Sequence, residues 1–507
     1  VVVVGSGIGG LCCAALAARY GYRVVLCESH STPGGAAHAF ERDGYHFESG
    51  PSLFTGLSTP GSTNPVAQIL ALLDEQLPTV AYDRWMTHLP EGTLVSSSDR
   101  RQHHEQLRRF CTPEGFRQWL RLESRLEEYG RGLTEIPMAA MRADAGAALT
   151  LGPHLARSAG ALRHARDLQR PFSWLVDQEI SDPFLRRLCD FESFGLSGMD
   201  AAGTPLAEMV FMFHERFANT VEYPLGGSQA LVDALVRGLR RHGGRLVLGA
   251  HVEEILVEEG RARGVRLAGG GEIRAARAVV SNATVWDTAD LVGDEVLPTR
   301  VRRRWATAPM TDSILHLHLG IDAEGLPEDL GIHHVVLRSW EVAAPQNMCN
   351  IAIPSTLDPS LAPPGHHVVH AYTAGNEPYD VWEGLDRRSE RYQELKHGRS
   401  QVLWEALEKV IPDVRDRTQS ALVGTPLTHE RYLRRHRGTY GAAYRADRRQ
   451  RFPGPRTPVP GLLLCGDSTM PGIGVPAVAM SGWIAANTLA PVRRHRRLLA
   501  EMAQARD

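Results

Sequence analysis

This sequence predicts an α/β fold: a parallel-sheet domain assembled from separated pieces of chain, interleaved with a second, α+β domain. Three observations carry that reading. The chain opens on an apolar strand that runs straight into Gly5-Ser6-Gly7-Ile8-Gly9-Gly10 and a helix, and Glu28 ends the next strand. Far downstream a second apolar strand, Leu462-Leu463-Leu464-Cys465, ends in Gly466-Asp467 and leads through Pro471-Gly-Ile-Gly474-Val475-Pro476 into a helix of small residues. Between these ends the hydrophobic period changes from strand–helix alternation to long helical patterns, and then to alternating strands.

The opening turn is a GxGxxG pattern, and each glycine has a physical task. Gly5 permits the tight turn, Gly7 lets backbone approach a pyrophosphate, and Gly10 lets the helix pack close to its strand. Ser6 and Gly9 complete the turn, whose helix N-terminus offers free N–H groups and a positive dipole end to an anion. Glu28 is placed to accept from a ribose diol and would repel a 2′-phosphate. Pro33-Gly34-Gly35 supplies a second turn at which backbone passes beside ribose and pyrophosphate. Val252, opening the expected strand Val252–Val257, joins the expected cofactor set. Gly466 and Asp467 end a strand where a carboxylate meets ribitol hydroxyls or bridges to phosphate through water. The helix that opens at Gly474 and Val475 would aim its positive end at an isoalloxazine ring. Together these features point to FAD rather than NAD as the bound dinucleotide.

Composition narrows the class. At 507 residues and 43% hydrophobic content the chain holds more than one core, and 56 Lys+Arg against 58 Asp+Glu give a net charge of −2, so no global field argues for nucleic acid. The cysteines Cys12, Cys13, Cys27, Cys111, Cys189, Cys349 and Cys465 are odd in number, scattered and without a CxxC pair; they read as buried apolar residues of a reducing compartment. No apolar run reaches the roughly 18 residues a spanning helix needs. The first residue is Val1, already inside a strand, so a preceding natural N-terminus is expected, and a targeting peptide is neither shown nor excluded.

Along the chain, residues 60–215 carry a largely helical period. Arg245–Leu248 and Val252–Val257 read as strands, Gly264–Arg274 as a glycine-turned hairpin, and Ala278–Ala283 as a buried strand returning to the first domain. Ile314–Leu319, His334–Leu337, Asn350–Ile353 and His367–Ala371 read as an antiparallel substrate sheet. The expected FAD domain is therefore discontinuous, 1–57, 216–290 and 455–492; the substrate domain takes 58–215 and 291–454, and 493–507 forms a basic C-terminal tail.

Further motifs are similar to one group in particular: Phe40-Glu-Arg-Asp-Gly-Tyr-His-Phe-Glu-Ser-Gly50, Tyr223-Pro-Leu-Gly-Gly227, Ser281-Asn-Ala-Thr-Val-Trp-Asp287, Trp382-Glu-Gly-Leu385, Gly424-Thr-Pro-Leu-Thr-His429, Gly438-Thr-Tyr-Gly441 and Gly466 through Gly482. With the glycine turns they resemble the phytoene desaturase and flavin amine oxidase superfamily, and within it the carotenoid isomerase (prolycopene isomerase) group, over nearly the whole chain. That resemblance implies the FAD-binding fold of the glutathione-reductase/amine-oxidase type, with FAD held non-covalently and a hydrophobic polyene substrate. It also implies redox-neutral conversion of 7,9,7′,9′-tetra-cis lycopene to the all-trans form with reduced flavin, NAD(P)H being a possible external reductant. A plastid, thylakoid or chromoplast membrane surface is the implied location in a eukaryote, the cytoplasmic membrane surface otherwise. One stretch departs from the group: within 130–180, Ala139-Ala-Met-Arg-Ala-Asp-Ala-Gly-Ala-Ala148 stands where bulkier residues are expected around the substrate tunnel.

Glu192, between Phe191 and Phe194, is a candidate catalytic acid if burial raises its pKa; a salt-bridged helix acid is the competing reading. His429 and Tyr440 lie in group-like motifs and are the other catalytic candidates, with structural hydrogen bonding as the competing role. His316 and His318 share a strand face, with His334 and His370 on candidate neighbours, but no carboxylate completes a ligand set and no metal is expected. Arg493–Arg497 and Arg434–Arg437 with Arg445, Arg448, Arg449 and Arg451 are locally basic, suiting peripheral association with an anionic membrane. Two rival functions stand beside isomerisation: a carotenoid or retinoid desaturase or saturase using the same cofactor for net hydride transfer, and a flavin-free isoprenoid-binding escort protein.

Overall fold

A computed structural model describes residues 1–134, 137–155 and 164–504. Its organising element is a five-stranded, all-parallel sheet in the order Arg245–Val247, Val25–Cys27, Val2–Val4, Val279–Ser281, Leu462–Leu464. Every strand is three residues long, and the inner ones are almost wholly apolar, as strands covered on both faces require, whereas the edge strand Arg245–Val247 opens on an exposed arginine. The opening strand lies in the middle, so its GxGxxG turn emerges from the centre of the sheet's carboxyl edge. The helix that follows, Ile8–Arg19, has no polar face: Ile8 to Ala18 are all buried. It is clamped by the helices Gly227–Arg241 and Val475–Leu489. A Cβ on Gly10 would lie 2.1 Å from the Gly5 carbonyl oxygen, and one on Gly482 would lie 2.2 Å from that of Gly9. Backbone touches backbone at both places, which only glycine allows.

The expected pair Arg245–Leu248 and Val252–Val257 divides between two sheets. Arg245–Val247 joins the parallel sheet, whereas Val252–Glu258 begins an antiparallel meander with Arg261–Leu267 and Glu272–Arg274. Between them the chain crosses the carboxyl edge at Glu28, whose N–H donates to the Val247 carbonyl while its own carbonyl accepts from Ala250 N–H.

The second domain carries a seven-stranded sheet in the order Thr418–Gly424, His316–Asp322, His366–Thr373, Met348–Ala352, His333–Leu337, Arg84–Leu89, Gly92–Ser97. All its pairings are antiparallel except that of His333–Leu337 with Arg84–Leu89. The hairpin 84–97 corrects the helical expectation for 60–215: the run Arg84-Trp-Met-Thr-His-Leu89 closes the edge of a sheet whose other strands lie more than two hundred residues on, a partner no local period reveals. Apart from a further short strand, Thr79–Ala81, the described remainder of that segment is largely helical as expected, in Arg100–Leu107, Pro113–Thr134, Phe172–Glu179, Pro183–Ser197 and Leu206–Ala218. These helices share a core that includes Trp119, Phe172, Leu185 and Leu206. Of the divergent stretch 130–180, residues 135–136 and 156–163 lie outside the described residues, as do 505–507 of the basic tail.

Replacing Gly482 by Ala is expected to lower the thermal midpoint measured by calorimetry, at a cost of about 1–3 kcal/mol for overpacking. Gly398→Ala, on a helix position where a Cβ meets nothing within 4 Å, is expected to leave the midpoint unchanged or raise it by the helix-propensity gain of up to about 1 kcal/mol. Equal midpoints for Gly482→Ala and the parent protein would show that the two helices do not meet as closely as described.

Candidate functional site

Three separated segments meet at the carboxyl edge of the parallel sheet. Gly5 takes φ +87°, turning the chain so that Ser6 N–H and Ser6 Oγ–H both donate to Glu28 Oε2, at 2.9 and 2.6 Å. Glu28 Oε1 accepts from His30 N–H at 2.8 Å. The second turn closes on the first: Gly34 N–H donates to the Ser6 carbonyl and to Ser6 Oγ, and a Cβ on Gly35 would sit 3.0 Å from Gly7 Cα. Val252 begins its strand buried, just after the segment that crosses Glu28. From the far end of the chain, Gly466 N–H donates to Ser481 Oγ at 2.7 Å, and Gly474, at φ +94°, opens the helix Val475–Leu489 with nothing within 4 Å of where its Cβ would be.

The side chain that joins these pieces is Asn282. Cβ atoms on Gly7, Gly9 and Gly466 would each come within 3 Å of its amide, and one on Gly10 would come within 3.2 Å. Asn282 belongs to a motif visible in sequence, but nothing in spacing says that it faces four glycines from two ends of the chain.

The residues present fit a bound dinucleotide. Neither helix start, at Gly7 nor at Gly474, has a side-chain cap, so the free N–H groups of both are available to a ligand. Gly5, Gly7, Gly35 and Ile473–Val478 are only half-buried, above a floor that is wholly buried. Asp467 is not free: its Oδ2 accepts from Arg435 Nη2 at 2.5 Å, and the same guanidinium donates to the carbonyls of Thr439 and Tyr440. Tyr440 is thereby fastened beside the cofactor loop, and burial pushes its phenol pKa up.

The other catalytic candidates lie elsewhere. Glu192 Oε2 is ion-paired with Arg216 Nη2 at 2.5 Å, the two side chains 11% and 8% exposed. This is the salt-bridged arrangement of the competing reading: the carboxylate already has a cationic partner, and the guanidinium is flanked by the rings of Trp85 and Phe213. His429 is buried in the second domain, where it meets His316, with His370 and His318 beyond. The nitrogens of His316, His318 and His370 lie within 4.8 Å of one another, a clustering the sequence only partly suggests. His334 stays apart, bonded to the Leu330 carbonyl and to His88. Burial depresses the cluster's pKa values, to about 4 for His318 and about 3 for His429, so all four rings are neutral at physiological pH.

Two acids were not singled out by sequence reasoning: Glu48 lies in the motif Phe40–Gly50, but nothing in that motif marks its carboxyl for burial, and Glu208 carries no motif. Glu48 accepts from Ser228 N–H at 2.6 Å, and burial pushes its carboxyl up to about 7. Glu208, within the helical wing, is pushed up to about 8 by burial and holds its proton at neutral pH. The basic stretches are compensated only in part. Arg435, Arg437 and Arg445 pair with Asp467, Asp380 and Asp200, and in the helix Val492–Gln504 Arg497 pairs with Glu501 while His495 is buried. The cysteines are all free thiols. No helix among the described residues is long and apolar enough to cross a membrane.

A central βα turn of this kind, uncapped helix starts from both ends of the chain and an intertwined sheet domain define a dinucleotide-binding oxidoreductase architecture. The chain matches the flavin containing amine oxidoreductase family over residues 8–490 and belongs to it; it is an FAD-dependent enzyme. It is 34% identical to prolycopene isomerase 1, chloroplastic, of an Oncidium hybrid cultivar, over 96% of this chain and 83% of that one. It is 32% identical to the chloroplastic prolycopene isomerase of Daucus carota, over 96% and 79%. A phytoene desaturase (neurosporene-forming) of Rhodobacter capsulatus is 26% identical over 96% and 93%. The fold is shared with an oxidoreductase from Methanosarcina mazei, at TM-score 0.64 and 19% identity over 95% of this chain and 98% of that one. It is shared also with putrescine oxidase, at 0.63 and 16% over 99% and 98%. Membership of the enzyme family sets aside the flavin-free escort reading.

Glu48 gives a pH test. Its carboxyl keeps a proton in the fold up to about pH 7 but loses it near 4.5 when unfolded, so its contribution to stability is full below the lower value and is lost as pH rises to the upper one. Glu48→Gln, neutral throughout, is therefore expected to match the parent at pH 4.5 and to exceed it above pH 7 by up to about 3 kcal/mol in denaturant unfolding. The same difference at both pH values would refute the assignment.

Proposed function

We propose that this chain isomerises a poly-cis carotenoid, converting 7,9,7′,9′-tetra-cis lycopene to the all-trans form without net redox change. The single observation that carries the reading is the 34% identity to a prolycopene isomerase along 96% of the chain, which spans the second domain as well as the cofactor turns. We assign the FAD domain to 1–57, 216–290 and 455–492, the substrate domain to 58–215 and 291–454, and the basic tail to 493–507.

Gly5, Ser6, Gly7, Gly9 and Gly10 would hold the pyrophosphate at the first helix start, Glu28 the ribose diol once it exchanges Ser6 for hydroxyl donors, and Gly34 and Gly35 the backbone edge of the same site. Val252 borders it. Gly466, Asp467, Gly474 and Val475 would hold the flavin half at the second helix start. When bound and once reduced, for example by NAD(P)H, FAD would lend electron density to the polyene and take it back, lowering the order of a C=C bond that otherwise does not rotate thermally at a useful rate and leaving the flavin reduced. The chain's own part is to bind the polyene, keep water away and hold protons in place. Tyr440, fixed by Arg435, would border the cofactor; His429 lies in the imidazole cluster, and Glu192 would position Arg216 rather than donate a proton. Peripheral membrane association would use the exposed guanidiniums of Arg493 and Arg496, since most of the 434–445 cluster is already paired. The location proposed is a plastid membrane surface in a eukaryote and the cytoplasmic membrane surface otherwise.

The desaturase similarity keeps net hydride transfer as the second reading, and product mass separates the two. Anaerobic incubation of poly-cis lycopene with photoreduced enzyme is expected to give all-trans lycopene of unchanged mass, and the oxidised enzyme little or none. A product two hydrogens lighter or heavier, or equal rates from both forms, would sink the proposal. Glu28→Ala is expected to weaken FAD retention about tenfold or more, the worth of a hydrogen bond to a charged group, read as flavin absorbance per protein after gel filtration. Flotation with liposomes is expected only when they contain anionic lipid; flotation with neutral vesicles alone would exclude the basic helix as the contact.

A further inference from the structure

His316 and His318 share one face of the strand His316–Asp322 because side chains alternate along it. The antiparallel register sets His370 directly opposite His318 and diagonal to His316. On the other edge, Thr418–Gly424 ends with Gly424 opposite His316, and Pro426 starts a helix that carries His429 one turn in, over that ring. His316 Nδ1 lies 2.7 Å from His370 Nε2, and His316 Nε2 lies 2.5 Å from His429 Nε2. The planes agree to 13° and 15° with centroids 5.0 and 4.6 Å apart, the geometry of in-plane N–H···N bonds. The outer atoms of the chain, His370 Nδ1 and His429 Nδ1, are buried without a partner.

The cluster is not built as a metal site. A metal needs lone pairs converging on one point roughly 2.0–2.1 Å from each nitrogen. His318 instead stacks face to face on His370, at 4.3 Å and 8°, so their lone pairs lie in parallel planes. His318 Nε2–H is also spent on the Glu48 carbonyl at 2.9 Å, and both nitrogens of His316 already point at neighbours.

We propose that His429, His316 and His370 form a neutral imidazole relay that passes a proton between its two Nδ1 ends. The proton count fixes how it works. Three neutral imidazoles hold three protons on six nitrogens; two protons sit in the internal bonds, so one end must carry N–H and the other a lone pair. A proton accepted from a donor such as water at the lone-pair end shifts both internal protons along and releases the third, as N–H at the opposite end, to an acceptor. Two N–H···N bonds reverse direction, no electrons move, and every ring is neutral before and after. This lets a wall too dry to hold an imidazolium still deliver a proton. Use of that proton in polyene isomerisation rests on the function proposed above; the relay itself does not.

The tautomers are consequently locked together. If His429 carries its proton on Nδ1, then His316 and His370 carry theirs on Nε2; if His429 carries it on Nε2, the other two carry theirs on Nδ1. Nitrogen-15 NMR of histidine-labelled holoenzyme is expected to show one of these two sets. A charged ring or a mixed set, with two lone pairs facing each other, would overturn the relay whatever the substrate proves to be. In turnover, His316→Ala is expected to lose about a hundredfold, the lower range for a positioned proton transfer, while keeping bound flavin. Added imidazole is expected to restore activity and oxazole, a ring of nearly the same size without an N–H, is not. Equal rescue by both would assign His316 a packing role. Stoichiometric metal in the purified protein that disappears in His316→Ala would overturn the relay in favour of a metal site. If poly-cis lycopene is not turned over by the parent enzyme, the substrate reading fails and the NMR result alone decides the relay.

Discussion

Four glycines close on one asparagine, and the rest of the cofactor site depends on that closure. Gly7, Gly9 and Gly10 come from the first helix turn, Gly466 from a strand end more than 450 residues later, and Asn282 from the strand between them. A side chain at Gly10 would meet the Gly5 carbonyl, and one at Gly482 the Gly9 carbonyl, so the first helix can lie against its own strand end, and the helix Val475–Leu489 against the first helix, only if both positions remain without Cβ. The constraint is steric and lies in backbone–backbone contact. It explains why short three-residue strands suffice: the sheet needs only to bring the ends of three distant segments to one edge.

Away from the glycine turns the interior is governed by desolvation. Burial disfavours the charged form, so the histidines of the seven-stranded sheet are neutral, Glu208 holds its proton at neutral pH and the Glu48 carboxyl is pushed up to about 7. Where charge is kept, it is paired: Glu192 with Arg216 and Asp467 with Arg435. Such an interior would suit the apolar polyene proposed above, which asks for no ionic partner. Neutral imidazoles also offer proton-handling groups without the cost of a buried ion.

Similarity to solved structures at 16–19% identity extends over 95–99% of the chain, whereas prolycopene isomerases are 32–34% identical to it. The fold is thus shared across reactions of different chemistry, and what distinguishes them has to lie in side chains on the second domain's sheet and helices rather than in the glycine turns.

By itself the sequence determined the parts whose cause is local or stereochemical. The GxGxxG turn, the acidic strand end at Glu28, the glycine before the last long helix and the period-two faces at 314–371 each need particular residues at particular spacings, and so they are legible one segment at a time. Tertiary structure alone decided what depends on partners distant in sequence. Arg84–Leu89 became a sheet edge because His333–Leu337 accepts it in register. Glu192 became a salt-bridge partner because the helix Leu206–Ala218 sets Arg216 beside it. His429, chosen for its motif, and His316 and His370, noted for their strand positions, joined into one hydrogen-bonded chain only because two strand edges and a helix start converge there. Spacing specifies a turn, but burial and direction of approach specify a side chain's chemistry, and those are properties of the packed molecule.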